Sequence, residues 1–437
     1  MPQAKSPPRL RPTPPREGNK SPARLLPAAA NHSQAPRPAL TAKNHRPALP
    51  PQFTLRSTTM LLNTEQEMIR NEMRAFAQAR LAPFAYEWDK HHTFPADALK
   101  ELGALGALGM VVPEEWGGAG MDYMALVLTL EEIAAGDGAT STIVSVQNAL
   151  ACGITLKYGT DAQKETWLKP LARGEKLGCF CLTEPHTGSD AAAITTRAER
   201  DGEDFVLNGV KQFITTGKYA DMAIVFAVTD KAAGKKGISC FLVPTATPGY
   251  VVARLEEKMG QHASDTAQIM FENCRVPTSA LLGKEGEGYK IALSNLEAGR
   301  IGIAAQSVGM ARAAFEAAVR YAKERVTFGK AIIDHQAVNF RLADMATQLD
   351  AARLMVWRAA QLKDAGLPCL KEASMAKMLA SEMAEKVCSD AIQIHGGSGY
   401  VSDFPVERIY RDVRVCQIYE GANDIQRLVI GRAIAAD

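Results

Sequence analysis

The densest cluster of chemistry-bearing side chains is Thr183-Glu184-Pro185-His186-Thr187-Gly188-Ser189-Asp190. Gly, Ser and Thr in a tight turn leave backbone N–H groups and hydroxyls free to meet a phosphate or a flavin edge. The same composition also makes an ordinary polar turn. In Gln212-Phe213-Ile214-Thr215-Thr216-Gly217 a large aromatic precedes paired hydroxyls, which suits a cofactor platform or a core position. A third cluster is Tyr419-Glu420-Gly421-Ala422-Asn423-Asp424-Ile425-Gln426-Arg427. Asn423 followed three residues on by Gln426 reads as a capping box that opens a helix from about Asp424. Glu420 then stands on the connecting turn, as a solvated loop acid or, flanked by Ile418 and Tyr419, as a partly desolvated one. Desolvation would raise its pKa toward that of a useful base. Glu297 and Arg300, in Leu296-Glu297-Ala298-Gly299-Arg300, form a fourth polar point and taken singly are a surface i,i+3 pair.

The elements that must position these residues fall into three blocks. From Thr64 to about Lys176 the pattern is helical, with segments such as Asp122–Ala135 and Asp161–Leu171 between Gly/Pro punctuation. From about Leu177 the texture turns to β-branched runs: Ala223–Val228, Gly237–Pro244, Tyr250–Leu255 and Gln268–Val276. Phe205 to Leu207, Asn208-Gly209 and Val210 to Thr215 read as a hairpin around a type I′ turn. From Gly286 the helical period returns. Ala304, Val308, Ala311, Phe315, Ala318 and Ala322 recur at i+3/i+4, as do Val338, Leu342, Met345, Leu349, Ala352 and Val356. A third helix runs from about Lys371 to Ile394 and stops at Gly396-Gly397. The expectation is an α+β chain: an N-terminal α-helical domain (60–176), a middle β-barrel or sandwich domain (177–285) and a C-terminal four-helix-bundle-like domain (286–437).

The 437 residues are 46% hydrophobic and 22% charged, which excludes collagen, a coiled-coil rod and wholesale disorder. The net charge of +2 hides an asymmetry, because residues 1–60 hold ten Lys/Arg against one acid. They also hold 13 of the 23 prolines. Proline fixes φ and removes a hydrogen-bond donor, so residues 1–59 read as a disordered extension or as sequence ahead of a start at Met60. A transit peptide would be basic like this but also amphipathic and helical. A nucleic-acid arm would interleave aromatics, which are missing, so no nucleic-acid partner is expected. No run approaches the ~18 uncharged apolar residues of a membrane span. The eight cysteines form no CxxC pair and the histidines no HExxH, so reduced thiols and no metal are expected, in the cytoplasm or alternatively the mitochondrial matrix.

None of these clusters is specific alone, but their order and spacing are. From about Met60 to Asp437 the chain resembles the acyl-CoA dehydrogenase family. Six motifs carry the resemblance: CLTEPHTGSD (181–190), FITTG (213–217), KMGQHASDT (258–266), ERVTFGKAIIDHQA (324–337), QIHGGSGY (393–400) and IYEGANDIQR (418–427).

The resemblance implies FAD between the β-domain and the C-terminal helices. Phe180, Cys181, Leu182, Thr183 and Ser189 match a segment along the flavin and its pyrophosphate, with Ser189 also near the CoA ester. Phe213, Ile214 and Thr215 match the flavin-stacking segment, where tryptophan is common. Arg325, Thr327, Phe328, His335 and Gln336, with Gln393, Gly396 and Gly397, match contacts to FAD across a subunit interface, which implies an obligate oligomer, usually a homotetramer. Ala422 and Asp424 fall in the flavin-side part of the last motif, and Ala422 departs from the family's frequent threonine. Glu297, Arg300 and Gly421 match positions near the acyl-CoA. Glu420 matches the catalytic base; relatives that place the base just before the arginine have a carboxylate where this chain has Gly299. The implied activity is α,β-dehydrogenation of an acyl-CoA to the trans-2-enoyl-CoA, in fatty-acid or branched-chain catabolism, with electrons leaving to an electron-transferring flavoprotein. A desulfinase, an oxidase or a flavin monooxygenase on the same fold is the alternative.

Overall fold

The computed structural model describes residues 62–436. The basic, proline-rich segment lies outside the described residues. Five helices of the first block concern us: α1 (Thr64–Phe76), α2 (Ala85–His91), α3 (Ala96–Ala104), α4 (Tyr123–Gly136) and α5 (Gly138–Val146). Asp122 caps α4 by accepting from the Ala125 N–H at 2.6 Å, and Asp137 caps α5 by accepting from the Thr140 N–H at 2.8 Å. Against the expectation of no such run, helical continuation of α5 gives Gly138–Tyr158, long and apolar enough to cross a membrane, yet 89% of its window is buried inside the protein. It is a core helix, and its polar side chains are used there: Asn148 Nδ2 donates to the Ala107 carbonyl at 2.8 Å.

The middle block is one seven-stranded sheet: β1 (Gly178–Cys181), β2 (Arg197–Asp201), β3 (Asp204–Thr215), β4 (Met222–Val228), β5 (Ile238–Pro244), β6 (Tyr250–Leu255) and β7 (Thr266–Pro277). The order is β1-β4-β2-β3-β7-β6, with β5 also on β4. The ends of this path approach each other: Cys179 on β1 lies 3.7 Å from the Tyr250 hydroxyl on β6. Residues from β1, β2, β3, β4, β5 and β7 accordingly share one interior cluster. The expected hairpin at Asn208-Gly209 is not there. Both residues lie inside the long strand β3, at a register irregularity against β7, with Gly209 at φ 153°. A Cβ at Gly209 would sit 2.5 Å from Thr196 Oγ1, so glycine here permits close approach of a neighbouring strand, not a reversal. The true turn is at Gly202, between paired Asp201 and Asp204.

The last block packs α6 (Leu296–Glu324), α7 (Gln336–Asp364), α8 (Leu370–His395), α9 (Val406–Val413) and α10 (Asn423–Ala436). The buried faces of α6 and α8 are rich in alanine, and helices with small facing residues pack closely. The bundle shares its core with α4 and α5. Two buried acids of α4 secure the joint: Glu131 binds Arg353 at 3.0 Å, and Glu132 binds Arg312 at 2.5 Å. All eight cysteines are free and buried.

Candidate active site

The Glu420 turn lies between α9 and α10, and its backbone is unusual. Glu420 has φ 51° and Gly421 φ 89°, two successive left-handed residues. A non-glycine residue there costs ~1–3 kcal/mol and persists only when its surroundings over-determine it. They do. Gln426 Nε2 donates to the Gly421 carbonyl at 2.8 Å, as does Lys377 Nζ at 2.9 Å from α8. Asn423 does not act as the expected capping box. Its Oδ1 accepts from Lys377 at 2.9 Å, and its Nδ2 donates to Ser381 Oγ at 3.0 Å. Side-chain bonds to α8 outcompete the local cap, and Gln426 folds back on the turn instead.

Below the turn a buried polar chain ties it to the other two blocks. Tyr419 OH donates to Gln306 Oε1 at 2.9 Å, Gln306 Nε2 donates to Thr142 Oγ1 at 2.6 Å, and Thr142 Oγ1 donates to Gln261 Oε1 at 2.7 Å. Gln261 Nε2 closes the chain on the Asp412 carbonyl at 3.0 Å. Residues from α5, the 258–266 segment, α6 and α9 thus converge under Glu420, and a satisfied buried network of this kind specifies one arrangement.

The Glu420 side chain is half-buried, but its Oε2 is enclosed and has no hydrogen-bond partner among the described residues. Burial pushes its pKa up to about 7, against the charges of Arg300 and Lys377, which lower it. Arg300 is buried too, its Nη1 3.3 Å from Ser374 Oγ and its Nε unpartnered. Burial pulls its pKa below arginine's usual range, while Glu420 and Glu297 hold it up. Glu297 points elsewhere: it accepts from the Cys369 N–H at 3.1 Å and meets Lys363 at 3.5 Å. The two are therefore not a surface pair.

Gly299 faces the carboxylate directly, since a Cβ built there would lie 2.6 Å from Glu420 Oε2. The absence of a side chain makes the room in which the acid sits. Gly299→Ala is expected to leave flavin content and thermal stability near wild type while turning the carboxylate aside. A misplacement of about 1 Å at a reacting group costs on the order of 10²-fold. Unchanged turnover in that variant would show that the carboxylate is not confined as described.

The middle block supplies the second wall. The Gln212 N–H donates to the Thr183 carbonyl at 2.8 Å, which sets the two sequence clusters side by side. Phe213 stands out from this wall, 62% exposed at φ 60°. Thr183, Thr215, Leu182 and Phe180 are partly exposed, and Ser189 is exposed on the following turn. Cys181 and Ile214 point into the sheet interior, so a ligand on this wall meets their backbone only. Sequence reasoning missed what holds the wall. Glu184 is buried and accepts from the Thr195 N–H at 2.7 Å, the Thr196 N–H at 2.9 Å and Lys211 Nζ at 2.8 Å. Lys211, with no exposed surface, also donates to the Leu182 carbonyl at 3.0 Å. Burial penalises both charges. For Glu184 the ammonium and the hydrogen bonds overcome it and hold the carboxyl at about 2, whereas for Lys211 burial prevails and lowers its pKa.

The remaining expected residues lie at the far end of the bundle. Arg325, Thr327 and Phe328 form a small hairpin after α6, with the His335 ring 3.2 Å from the Thr327 carbonyl and Phe328 96% exposed. Gln336, Gln393, Gly396 and Gly397 are exposed. Tyr321 at the end of α6 donates to Ser398 Oγ at 3.3 Å, which brings the hairpin's helix and the Gly396 turn to one end. Along α8, sixteen residues separate Lys377, which touches the Glu420 turn, from Gln393, about 24 Å at helical rise. Ala422 is half-buried in the turn, and Asp424 is exposed at the start of α10.

Three family descriptions match the chain in order: the acyl-CoA dehydrogenase N-terminal domain over residues 63–175, the middle domain over 179–274 and the C-terminal domain over 286–435. The human mitochondrial short-chain specific acyl-CoA dehydrogenase is 49% identical over 377 residues, covering 86% of this chain and 91% of that protein. The butyryl-CoA dehydrogenase of Megasphaera elsdenii is 41% identical with a TM-score of 0.84, covering 86% of this chain and 99% of the other. A chain in the structure of the electron transferring flavoprotein of Acidaminococcus fermentans, solved toward a mechanism of flavin-based electron bifurcation, is 45% identical with a TM-score of 0.85 over 86% and 99% of the two chains. Fold and site together define a three-domain flavoprotein oxidoreductase. The chain belongs to the acyl-CoA dehydrogenase family.

FAD is the cofactor of this family. The residues present fit it: an exposed aromatic beside Thr183 and Thr215 on one wall, and at the far end Arg325, with a turn at the same end where Gly396 and Gly397 have nothing among the described residues within 4 Å of a Cβ position.

Proposed function

We propose that the chain oxidises short-chain acyl-CoA thioesters to trans-2-enoyl-CoA, with Glu420 taking the α-proton. The observation that carries this is the Glu420 carboxylate itself: held on a pinned left-handed turn, enclosed at Oε2, given room by Gly299 and raised to about 7. An α-C–H beside a thioester is a weak acid, and a base is most effective when its pKa lies near the working pH. FAD, when bound, would supply the two-electron acceptor for the β-hydrogen and its electron pair, and loss of the α-proton to Glu420 with that hydride would leave the new C=C bond.

The chain's own groups do the rest. Phe213, Thr183 and Thr215 would cover the flavin ring, and Ser189 would reach the pyrophosphate and the CoA ester. The Glu420 backbone N–H is suited to meet the thioester oxygen, where a donor stabilises developing enolate charge. Gln393, about 24 Å along α8 from the Lys377 that touches the Glu420 turn, together with Arg325, Gln336, Gly396 and Gly397, suits the FAD of a neighbouring copy, which supports a homotetramer with shared sites. Electrons would pass to an electron-transferring flavoprotein, a partner class consistent with the Acidaminococcus fermentans likeness.

The test is anaerobic flavin reduction and turnover with butyryl-, octanoyl- and palmitoyl-CoA. Butyryl-CoA is expected to lead, with kcat/KM at least about tenfold above palmitoyl-CoA, the scale on which apolar pockets discriminate chain length. Preference for the long chain would overturn the substrate class, and fast reoxidation by air would favour an oxidase. A flavin-saturated monomer on sedimentation would contradict the shared site.

A further inference from the structure

Lys377 is a lysine buried in the bundle. It lies on α8 among Ala373, Ala376, Ala380 and Ala384, with a relative exposure of 0%. Burying an ammonium is costly unless it is well hydrogen-bonded, and for stability alone a buried charge is a poor choice over an apolar side chain. Among the described residues its hydrogen bonds go to neutral oxygens of the Glu420 turn: the Gly421 carbonyl and Asn423 Oδ1, each at 2.9 Å. Asn423 is itself fixed by Ser381 and by Glu382 Oε1 at 3.2 Å, so it presents its oxygen to Lys377.

We propose that Lys377 is a positioning residue for proton abstraction: its ammonium holds the Glu420–Gly421 backbone through Gly421 and Asn423, and sets a positive charge behind the carboxylate. This rests on the reading of Glu420 as the proton acceptor. Strain explains the first part, because the left-handed Glu420 keeps its shape only while the turn is tied from both sides, by Gln426 and by Lys377. Field explains the second. The charged and titratable groups facing this pair are Arg300 and Glu297 from α6, Glu382 from α8 and Cys416 from the segment before the turn. Of these, Arg300 alone shares with Lys377 the task of favouring the ionised Glu420. Without the ammonium the carboxylate keeps its proton to higher pH, and the rising limb of kcat/KM, which follows loss of that proton, moves upward.

The experiment is the pH profile of kcat/KM for butyryl-CoA in flavin-loaded wild type, Lys377→Met and Lys377→Gln. The wild-type limb is expected near pH 7. In Lys377→Met it should move up by about one pH unit, with plateau kcat down about tenfold or more as the turn loosens, and with flavin content and acyl-CoA binding retained. Lys377→Gln keeps a donor without the charge, so its limb should move as far and its kcat fall less. A limb that stays in place in both variants overturns the proposal. So does loss of flavin in both, which would make Lys377 a strut and nothing more. Glu420→Gln run alongside separates the two readings: if it still reduces its flavin, the assignment of the proton acceptor fails whatever Lys377 does. If it does not, and both Lys377 variants keep the wild-type limb, the role of Lys377 alone falls.

Discussion

Glu420→Gln is expected to purify yellow, to bind acyl-CoA, and to fail to reduce its flavin when substrate is added without oxygen. Glutamine keeps the size of the side chain and a carbonyl acceptor but cannot take the α-proton. Loss of a general base costs about 10²–10⁴-fold, and the surroundings argue for the upper part of that range. Oε2 is enclosed, so water has little room to serve instead. Gly299 carries no carboxylate to stand in. The turn should survive, because its ties run through the Gly421 carbonyl and Asn423, not through the carboxyl group. Removing a group that burial holds near 7 also leaves one fewer ionisable acid inside the site, so the variant should be no less stable than wild type at neutral pH. Stopped-flow bleaching within tenfold of wild type would mean that the proton goes elsewhere.

The parts of the fold that were legible are those in which packing is periodic. The three long helices announce themselves because alanine, leucine and valine recur along one face of each, and the faces are the ones the structure buries. Strands β4, β5, β6 and β7 are apolar or β-branched runs between turn residues, and they stand where expected within two residues. Strand β1 is only four residues long, and β2, Arg-Ala-Glu-Arg-Asp, buries Ala198 alone, so neither carries a hydrophobic pattern to read. Asn208-Gly209 has the chemistry of a turn, and tertiary context overrode it: Thr196 crowds Gly209, and Asn208 Oδ1 accepts from the Asn273 N–H at 2.9 Å.

In the sequence the candidate site stands as a set of motifs, and the forces on its side chains do not show. Whether Glu420 is solvated could not be read from Ile418 and Tyr419, since the groups that enclose and charge it come from α6 and α8. Glu297 and Arg300 share one turn of helix and diverge only because Cys369 and Ser374 offer them different partners. The missed residues did leave a trace. Lys377 and Lys211 are lysines set at buried positions of otherwise apolar faces, Lys377 four residues after Ala373 and three before Ala380. A charge on a core-facing position requires a partner, and both lysines find one in a segment that a motif had already marked.

Lys211→Met should strongly destabilise the middle domain. Removing one partner of a buried ion pair leaves the other charge uncompensated, which costs about 3–5 kcal/mol. Glu184 would be that charge, since it is as buried as Lys211 and is left with its backbone and hydroxyl donors and His186 3.8 Å away. The carboxylate holds the Thr195–Thr196 backbone and Lys211 holds the Leu182 carbonyl, so the wall carrying Thr183 and Phe213 should loosen and flavin should be lost before the helices unfold. Adding Glu184→Gln removes the stranded charge while its amide oxygen still accepts from one of the two threonine N–H groups, so the double variant should be more stable than Lys211→Met alone. The wild-type pair has its own pH signature. Glu184 is depressed in the folded protein to about 2, so its contribution is present above the ordinary carboxyl range and is lost as pH falls from about 4.5 toward 2. Thermal unfolding followed by flavin fluorescence measures all of this, and a Lys211→Met protein that keeps its flavin and melts within a degree or two of wild type would remove the ion pair from any account of how the cofactor wall is held.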